Sequence, residues 1–212
     1  MLKYATPLWL SAGTTGKGEE LEDARAYGAG APLALPRQTH SDHVRYVCSA
    51  CRPEDTDAVF TDVPGLCLAV KTADCIPVLL YDRRQFKVAA IHAGWKGSVQ
   101  CIVEKTLRAM ASRGADISAI IGPGISLESF EVGDEVYERF QSEGFPMERI
   151  SRRWPDSVTP GKWHIDLCKS GHSQFPMLYK LPDICVSEYT PFDKTAIPNY
   201  SFQTLLSNQP KG

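Results

Sequence analysis

Two apolar runs separated by a short polar turn constrain the fold of this chain more than any other feature. The runs are Ile76 to Tyr81 and Val88 to Ile91, and the turn between them is Asp82-Arg83-Arg84-Gln85. Apolar runs of this length joined by so short a connection are typical of two paired strands. We therefore predict a buried antiparallel hairpin at the centre of the fold.

Two reactive side chains flank this hairpin. Cys75 lies at the start of the first strand and His92 at the end of the second, so antiparallel pairing brings them to the same end of the sheet. His40, in the segment PRQTHSDHV, is a third candidate. One cysteine and two histidines make up the ligand set of an open catalytic zinc site, whose fourth position is left for water or substrate. The same residues would alternatively serve a thiol nucleophile, with His92 as the base.

The residues next to these candidates suggest what else the site binds. Asp74 precedes Cys75 and is a carboxylate able to orient a ligand or to take part in catalysis. His92 leads into Gly94-Trp95-Lys96-Gly97, where the glycines allow close backbone approach and the start of the following helix favours an anion. Lys96 adds a positive charge, so we predict that phosphate binds here.

Three other features each allow a structural and a functional interpretation. Trp95 is either a hydrophobic anchor or a stacking platform for a base. The turn Gly122-Pro123-Gly124 is either an ordinary tight turn or a pocket wall that lets a flat ligand approach the backbone, and we favour the pocket wall. Cys48 and Cys51 form a CxxC pair, but no second pair accompanies them, which argues against structural zinc or thioredoxin-like chemistry.

Composition argues against several classes of function. The chain has 212 residues, 43% of them hydrophobic, and no long linker, so we expect a single domain over residues 1–212. A net charge of -2 with interspersed signs gives no reason to expect nucleic acid or an anionic membrane as a partner. No apolar stretch is long enough to span a bilayer, and no signal peptide is evident. Seven cysteines in apolar contexts fit reduced thiols, so we expect a cytoplasmic enzyme.

Helical periodicity recurs after the hairpin. It predicts helices over Gly94 to Arg113, Val132 to Phe140 and Ile165 to Tyr179, whereas the polar tail after Asn199 is expected to fray. Short strands such as Asp57 to Thr61 precede the hairpin. Sheets dominated by local hairpins, with helices inserted between them, favour an α+β fold over a doubly wound parallel one.

Several motifs, taken in order, resemble the laccase-domain family. TADC together with HAGWKG is a specific combination, and the resemblance extends over about residues 33 to 140. The motifs are Gln38-Thr39-His40, TADC at Thr72 to Cys75 followed by IPVLL, HAGWKG at His92 to Gly97, and IGPGI with FEVGDEV behind it. The family has long been described as multicopper polyphenol oxidases and is now regarded as purine nucleoside phosphorylases with adenosine deaminase activity.

The resemblance carries specific expectations. It implies that His40, Cys75 and His92 are zinc ligands, with copper as the alternative metal. The implied substrates are adenosine, inosine and methylthioadenosine, which phosphate cleaves to the free base and a ribose 1-phosphate. The implied fold is α+β, with mixed and largely antiparallel sheets flanked by helices. The partners are therefore a small purine nucleoside and phosphate, and the oligomeric state stays open.

Two positions depart from the family pattern. Gln203 stands where the resemblance leads us to expect an arginine, and Gly124 stands where cysteine or serine is more common. Loss of the arginine removes a charged bidentate donor that a lysine does not simply replace. One alternative is therefore a catalytically degenerate member that binds nucleosides. The other is a copper-dependent phenol oxidase, which five histidines serve poorly because oxygen reduction needs a further multi-histidine cluster.

Overall fold

The computed structural model describes residues 2–15, 30–153, 161–169, 183–186 and 202–208. The first strands are β1 (Leu2–Lys3), β2 (Leu10–Thr14), β3 (Leu33–Ala34), β4 (Val44–Tyr46), β5 (Ala58–Thr61), β6 (Cys67–Thr72), β7 (Ile76–Asp82) and β8 (Val88–Ala93). The later strands are β9 (Ile117–Ile121), β10 (Glu131–Val132), β11 (Ser151–Arg153), β12 (Trp163–Ile165), β13 (Asp183–Val186) and β14 (Phe202–Asn208). The helices are α1 (Trp95–Val99), α2 (Ile102–Met110), α3 (Asp134–Ser142) and α4 (Met147–Ile150), with a 3-10 turn at Gly114–Asp116.

The predicted hairpin is confirmed as the centre of the molecule. β7 and β8 pair antiparallel, with Ile76 opposite Ala93 and Pro77 opposite His92. Every residue of both strands is buried. The hairpin lies in the middle of a six-stranded sheet with the order β13-β9-β7-β8-β5-β4. His92 is part of β8, at the end of the second strand as predicted, so the sheet itself fixes the backbone of this residue.

The two faces of the hairpin pack against different layers. Val78 and Leu80 belong to the core that includes α2, whereas Leu79 and Tyr81 belong to the core that includes β6 and β2. Alternate residues of a strand point to opposite faces, so a continuous apolar run is what a strand covered on both sides requires. The hairpin is therefore enclosed between a helical layer and a second sheet. Each fully buried leucine contributes about 1.5–3 kcal/mol of hydrophobic stabilisation.

The second sheet contains the C-terminal strand, which contradicts the expectation of a frayed tail. This five-stranded sheet has the order β1-β2-β14-β6-β3. β14 pairs antiparallel with β2 on one side and with β6 on the other. The tail is polar in sequence, but backbone hydrogen bonds to two neighbouring strands do not depend on side-chain type. Strand pairing between distant segments therefore overrides the local signal.

The predicted helices are only partly correct. The helix over Gly94 to Arg113 is interrupted between α1 and α2, because Cys101 adopts a left-handed conformation with φ 59°. The second helix is α3, displaced by two residues from the prediction. The third predicted helix overlaps β12 at Ile165 only, residues 167–169 are helical, and residues 170–182 lie outside the described part. β12 pairs with β10 and β11 in a three-stranded sheet.

The fold class is α+β, as predicted. The sheets are mixed and largely antiparallel, with parallel pairing between β3 and β6, β4 and β5, and β9 and β13. In the described segments, no helix has the length and apolar character needed to cross a membrane.

The central position of β14 predicts that the C-terminus is essential for folding. A chain that ends at Asn199 lacks this strand and leaves β2 and β6 with unpaired edges, which favours unfolding and aggregation. We expect circular dichroism to detect no cooperative thermal transition near that of the full chain. The matched control removes residues 210–212, after the strand, and should keep its transition. An unchanged midpoint in the longer truncation would contradict this account of the sheet.

Candidate metal centre

Three separate segments bring the predicted ligands together. His40 lies in the loop between β3 and β4, Cys75 immediately precedes β7, and His92 lies near the end of β8. Their donor atoms all lie within 4.8 Å of one another. His92 is buried, Cys75 is partly buried and His40 is exposed, so the cluster opens to solvent on the side of His40. Antiparallel pairing of β7 with β8 accounts for the proximity of Cys75 and His92, as the sequence predicted.

These donors fit a single metal ion. Cys75 is a free thiol, and a thiolate with two imidazoles suits zinc in tetrahedral geometry. With metal bonds of about 2.0–2.3 Å, tetrahedral donors lie roughly 3–4 Å apart, a spacing that small side-chain movements reach from the observed cluster. Among the residues that the structure describes, this is the one group of three or more histidine, cysteine and acidic side chains that could hold an ion.

The carboxylate of Asp57 connects two of the three ligand segments. Its Oδ1 accepts hydrogen bonds from His92 Nδ1 at 2.6 Å and from the backbone N–H of His40 at 3.1 Å. Its Oδ2 accepts from Ser41 N at 2.8 Å, Ser41 Oγ at 2.7 Å and Thr39 N at 3.1 Å. The backbone N–H of His92 also donates to the carbonyl oxygen of Asp57 at 2.8 Å. A fully buried acid thus binds both the loop of His40 and the ring of His92.

The charges of the site are strongly coupled. Burial on its own raises the pKa of Asp57, but the hydrogen bonds from His92, Ser41 and the loop amides outweigh it and hold the pKa well below its usual range. Burial lowers the pKa of His92, but its bonds to Asp57 and Cys75 raise it to about 9. Burial, reinforced by the neighbouring His92, lowers the pKa of His40. A metal ion that binds His92 must therefore displace a proton at neutral pH.

The orientation of His92 follows from these contacts. Nδ1 is occupied by Asp57, so Nε2 is the ring nitrogen left for Cys75 or for an ion. A metal-ligating histidine commonly donates its other ring N–H to a carboxylate in this way, which fixes the tautomer. The ring of His40 meets that of His92 edge to face, with centroids 4.9 Å apart.

Glycines in the HAGWKG motif make room for the cluster. A Cβ on Gly94 would lie 3.0 Å from Cys75 Sγ and 3.0 Å from a carbon of the His40 ring. A Cβ on Gly97 would lie 3.0 Å from the carbonyl oxygen of Ser41. The close backbone approach expected from the sequence is therefore directed at the ligands themselves and at the loop that carries His40.

Of the remaining predicted residues of this motif, Lys96 lies at the surface and Trp95 packs against the core. Lys96 is exposed and Trp95 is partly buried, with the ammonium nitrogen 5.8 Å from the centre of the indole ring. Both belong to α1, which has five residues instead of the long helix predicted. Lys96 nonetheless provides a positive charge two residues beyond Gly94.

The turn Gly122-Pro123-Gly124 packs against the segment that carries Cys75. The backbone N–H of Ile125 donates to Asp74 O at 2.7 Å, and that of Gly122 donates to Pro77 O at 2.9 Å. A Cβ on Gly124 would lie 3.1 Å from Asp74 O and 3.3 Å from Cys75 O. These small residues therefore let the turn fix the backbone on either side of Cys75, and Asp74 is itself partly buried.

Sequence reasoning missed Asp57 and assigned the orienting carboxylate to Asp74. The sequence offered only a weak sign of the role of Asp57. This acid stands directly before the apolar strand β5, and polar residues lie on both sides of His40. Two other histidines are engaged elsewhere. His43 contacts Asp55 at 3.0 Å, and His164 is buried in β12.

Comparisons with known proteins point to one family. Residues 19–178 match the family model described as multi-copper polyphenol oxidoreductase laccase. A Bacteroides thetaiotaomicron protein named purine nucleoside phosphorylase is 45% identical over 156 residues, which is 67% of this chain and 57% of that protein. A protein named adenosine deaminase RL5, from an unknown prokaryotic organism, is 39% identical over 148 residues, which is 64% of this chain and 55% of its own length. The chain thus spans little more than half of these two relatives.

Solved structures share the fold. A Neisseria meningitidis protein superimposes with a TM-score of 0.78 at 24% identity, covering 99% of both chains. YlmD from Geobacillus stearothermophilus superimposes with a TM-score of 0.73 at 20% identity, covering 96% of this chain and 93% of that one.

The tight packing of Gly94 predicts a sensitive position. The φ of -74° and ψ of 169° at Gly94 are accessible to alanine, so Gly94→Ala should not strain the backbone. The new methyl group should instead push Cys75 and His40 apart. We expect zinc affinity, measured by competition with a chromophoric chelator, to fall at least about tenfold, the scale of outer-shell changes. The thermal midpoint of the metal-free variant serves as the control, and unchanged zinc affinity would refute the crowding argument.

Proposed function

The chain belongs to the multi-copper polyphenol oxidoreductase laccase family, and we propose that it is a zinc-dependent purine nucleoside phosphorylase that also deaminates adenosine. The observation that carries this proposal is the open group of one cysteine and two histidines, exposed on the side of His40. The names of the relatives, purine nucleoside phosphorylase and adenosine deaminase, support the choice of substrate. We take adenosine, inosine and methylthioadenosine as the substrate class.

Zinc is favoured over copper by the number of donors. Reduction of oxygen by a laccase needs a multi-histidine copper cluster in addition to the site that oxidises the phenol. The chain has five histidines, and the described segments hold one group able to bind an ion. His43 and His164 contribute to other contacts and to the core. A copper oxidase is therefore the less supported alternative.

We assign the following roles to residues of the site. His40, Cys75 and His92 hold the ion, which would supply a Lewis acid and acidify a coordinated water to a pKa of about 7. Lys96 neutralises phosphate at the open side, and Asp74 orients groups next to Cys75. We further propose that Trp95 stacks on the base, and that Gly122 and Gly124 shape the pocket wall.

In both proposed reactions, each bond that forms is matched by a bond that breaks. In phosphorolysis, an oxygen of phosphate bonds to C1′ of the ribose while the bond from C1′ to the purine nitrogen breaks. The base leaves with that electron pair and takes up a proton, giving ribose 1-phosphate. In deamination, water adds to C6 of adenosine and ammonia leaves, giving inosine. Both reactions need a bound purine beside a polarising centre, which an ion held by His40, Cys75 and His92 would supply on the exposed side of the cluster.

A second candidate is a nucleoside-binding protein without turnover. Its support is Gln203, which lies opposite Lys71 in the pairing of β14 with β6. The side chain of Gln38, two residues before His40, binds both the N–H and the C=O of Lys71. The position where we expected an arginine is thus connected through Lys71 and Gln38 to the segment of His40. The neutral residue here lacks a charge that phosphate would use.

We also infer that residues 1–212 act as one domain. The support is the five-stranded sheet, in which β2 from the beginning of the chain pairs with β14 from its end.

The proposal predicts phosphate-dependent products. We expect zinc-loaded protein to convert adenosine to adenine and ribose 1-phosphate only when phosphate is present, and to inosine without it, as separated by chromatography. His40→Ala and Cys75→Ala should each reduce turnover at least about 100-fold, because losing a ligand costs more than losing an outer-shell partner.

His43→Ala is the matched control, because this neighbouring histidine is exposed and contacts Asp55 instead of the cluster. It should keep wild-type turnover. If folded, zinc-bearing protein forms neither adenine nor inosine, the enzyme proposal is refuted. Tight adenosine binding without turnover would then favour the nucleoside-binding candidate, and oxygen consumption with a phenol would favour the oxidase.

A further inference from the structure

Five hydrogen-bond donors converge on the Asp57 carboxylate. They are the ring N–H of His92, the backbone N–H groups of Thr39, His40 and Ser41, and the hydroxyl of Ser41. The acid is fully buried, and its partners come from the two segments that supply the histidines of the cluster. A carboxylate has two oxygens with about four acceptor positions, so these five donors leave none of them free.

We propose that Asp57 is the positioning residue of the metal centre, and that it sets both histidine ligands at once. It presents Nε2 of His92 to the ion by holding the proton on Nδ1. It also fixes the loop from Thr39 to Ser41, and with it the ring of His40. The inference rests on the proposed metal site but not on any nucleoside chemistry.

The backbone of His40 supports this coupling. Its φ of 61° lies in the left-handed region, which residues other than glycine rarely adopt. Such a conformation persists only where the surroundings enforce it. Three consecutive N–H groups directed at one anion provide that enforcement, in the manner of a backbone nest. Without the carboxylate, the loop would relax and His40 would leave the position it shares with Cys75 and His92.

Asparagine cannot replace this acid, although it has the same shape. Its single oxygen can serve either the His92 ring and the His40 N–H, or the donors of Thr39 and Ser41. If the oxygen faces the loop, the amide NH₂ faces Nδ1 of His92 and forces the ring proton onto Nε2, where it blocks the ion. If the oxygen faces His92, the NH₂ meets the N–H and O–H donors of Ser41. Either arrangement disturbs one histidine ligand.

The test compares Asp57→Asn with Asp55→Asn. Asp55 is a suitable control because it is an exposed carboxylate that binds the same loop through the Thr39 hydroxyl. We expect Asp57→Asn to weaken zinc binding about 10- to 100-fold and to alter the visible spectrum of the Co²⁺-loaded protein. Asp55→Asn should change the affinity less than about threefold and leave the spectrum unchanged. Equal affinities and identical Co²⁺ spectra for the two variants would overturn the proposal.

A second measurement needs no variant, and so covers the case in which Asp57→Asn does not fold. In zinc-loaded wild-type protein labelled with ¹⁵N, NMR should detect a downfield His92 proton coupled to Nδ1, as a hydrogen bond to Asp57 requires. A proton on Nε2 instead would overturn the proposal. Neither experiment involves a nucleoside, so failure of the phosphorylase assay and failure of this inference are distinguishable.

Discussion

One buried carboxylate organises the candidate site of this protein. Transfer of the Asp57 charge out of water is costly, and it is tolerated because five donors satisfy the two oxygens. Those donors come from the loop after β3 and from β8, so their hydrogen bonds tie an irregular segment to the centre of the main sheet. The backbone position of His40 and the ring orientation of His92 are therefore two consequences of a single electrostatic requirement.

The hairpin supplies the rigid part of this arrangement. β7 and β8 are buried on both faces, and their register places Pro77 opposite His92, so Cys75 and His92 meet at the end of the same strand pair. The meeting of Cys75 and His92 was predictable from the sequence, because two apolar runs joined by so short a turn pair as an antiparallel hairpin. The α+β class followed from the same pattern, and the motifs around it pointed to the three side chains that the fold brings together.

The rest depended on contacts between distant parts of the chain. Asp57 resembles any acid at the start of a strand, and only the fold reveals that donors from Thr39 to Ser41 surround it. β14 lies in a tail that is mostly polar, yet β2 and β6 pair with it on both sides. The left-handed Cys101 that divides α1 from α2 leaves the hydrophobic periodicity intact, so the sequence pattern could not reveal the break.

The central claim is that His40, Cys75 and His92 hold one zinc ion. X-ray absorption at the zinc edge of dialysed, zinc-loaded protein tests it most directly. The account predicts one zinc per chain, with one sulfur at about 2.3 Å and two imidazole nitrogens at about 2.0–2.1 Å. A zinc shell without sulfur, a shell of several sulfurs, or loss of the metal on dialysis would contradict it.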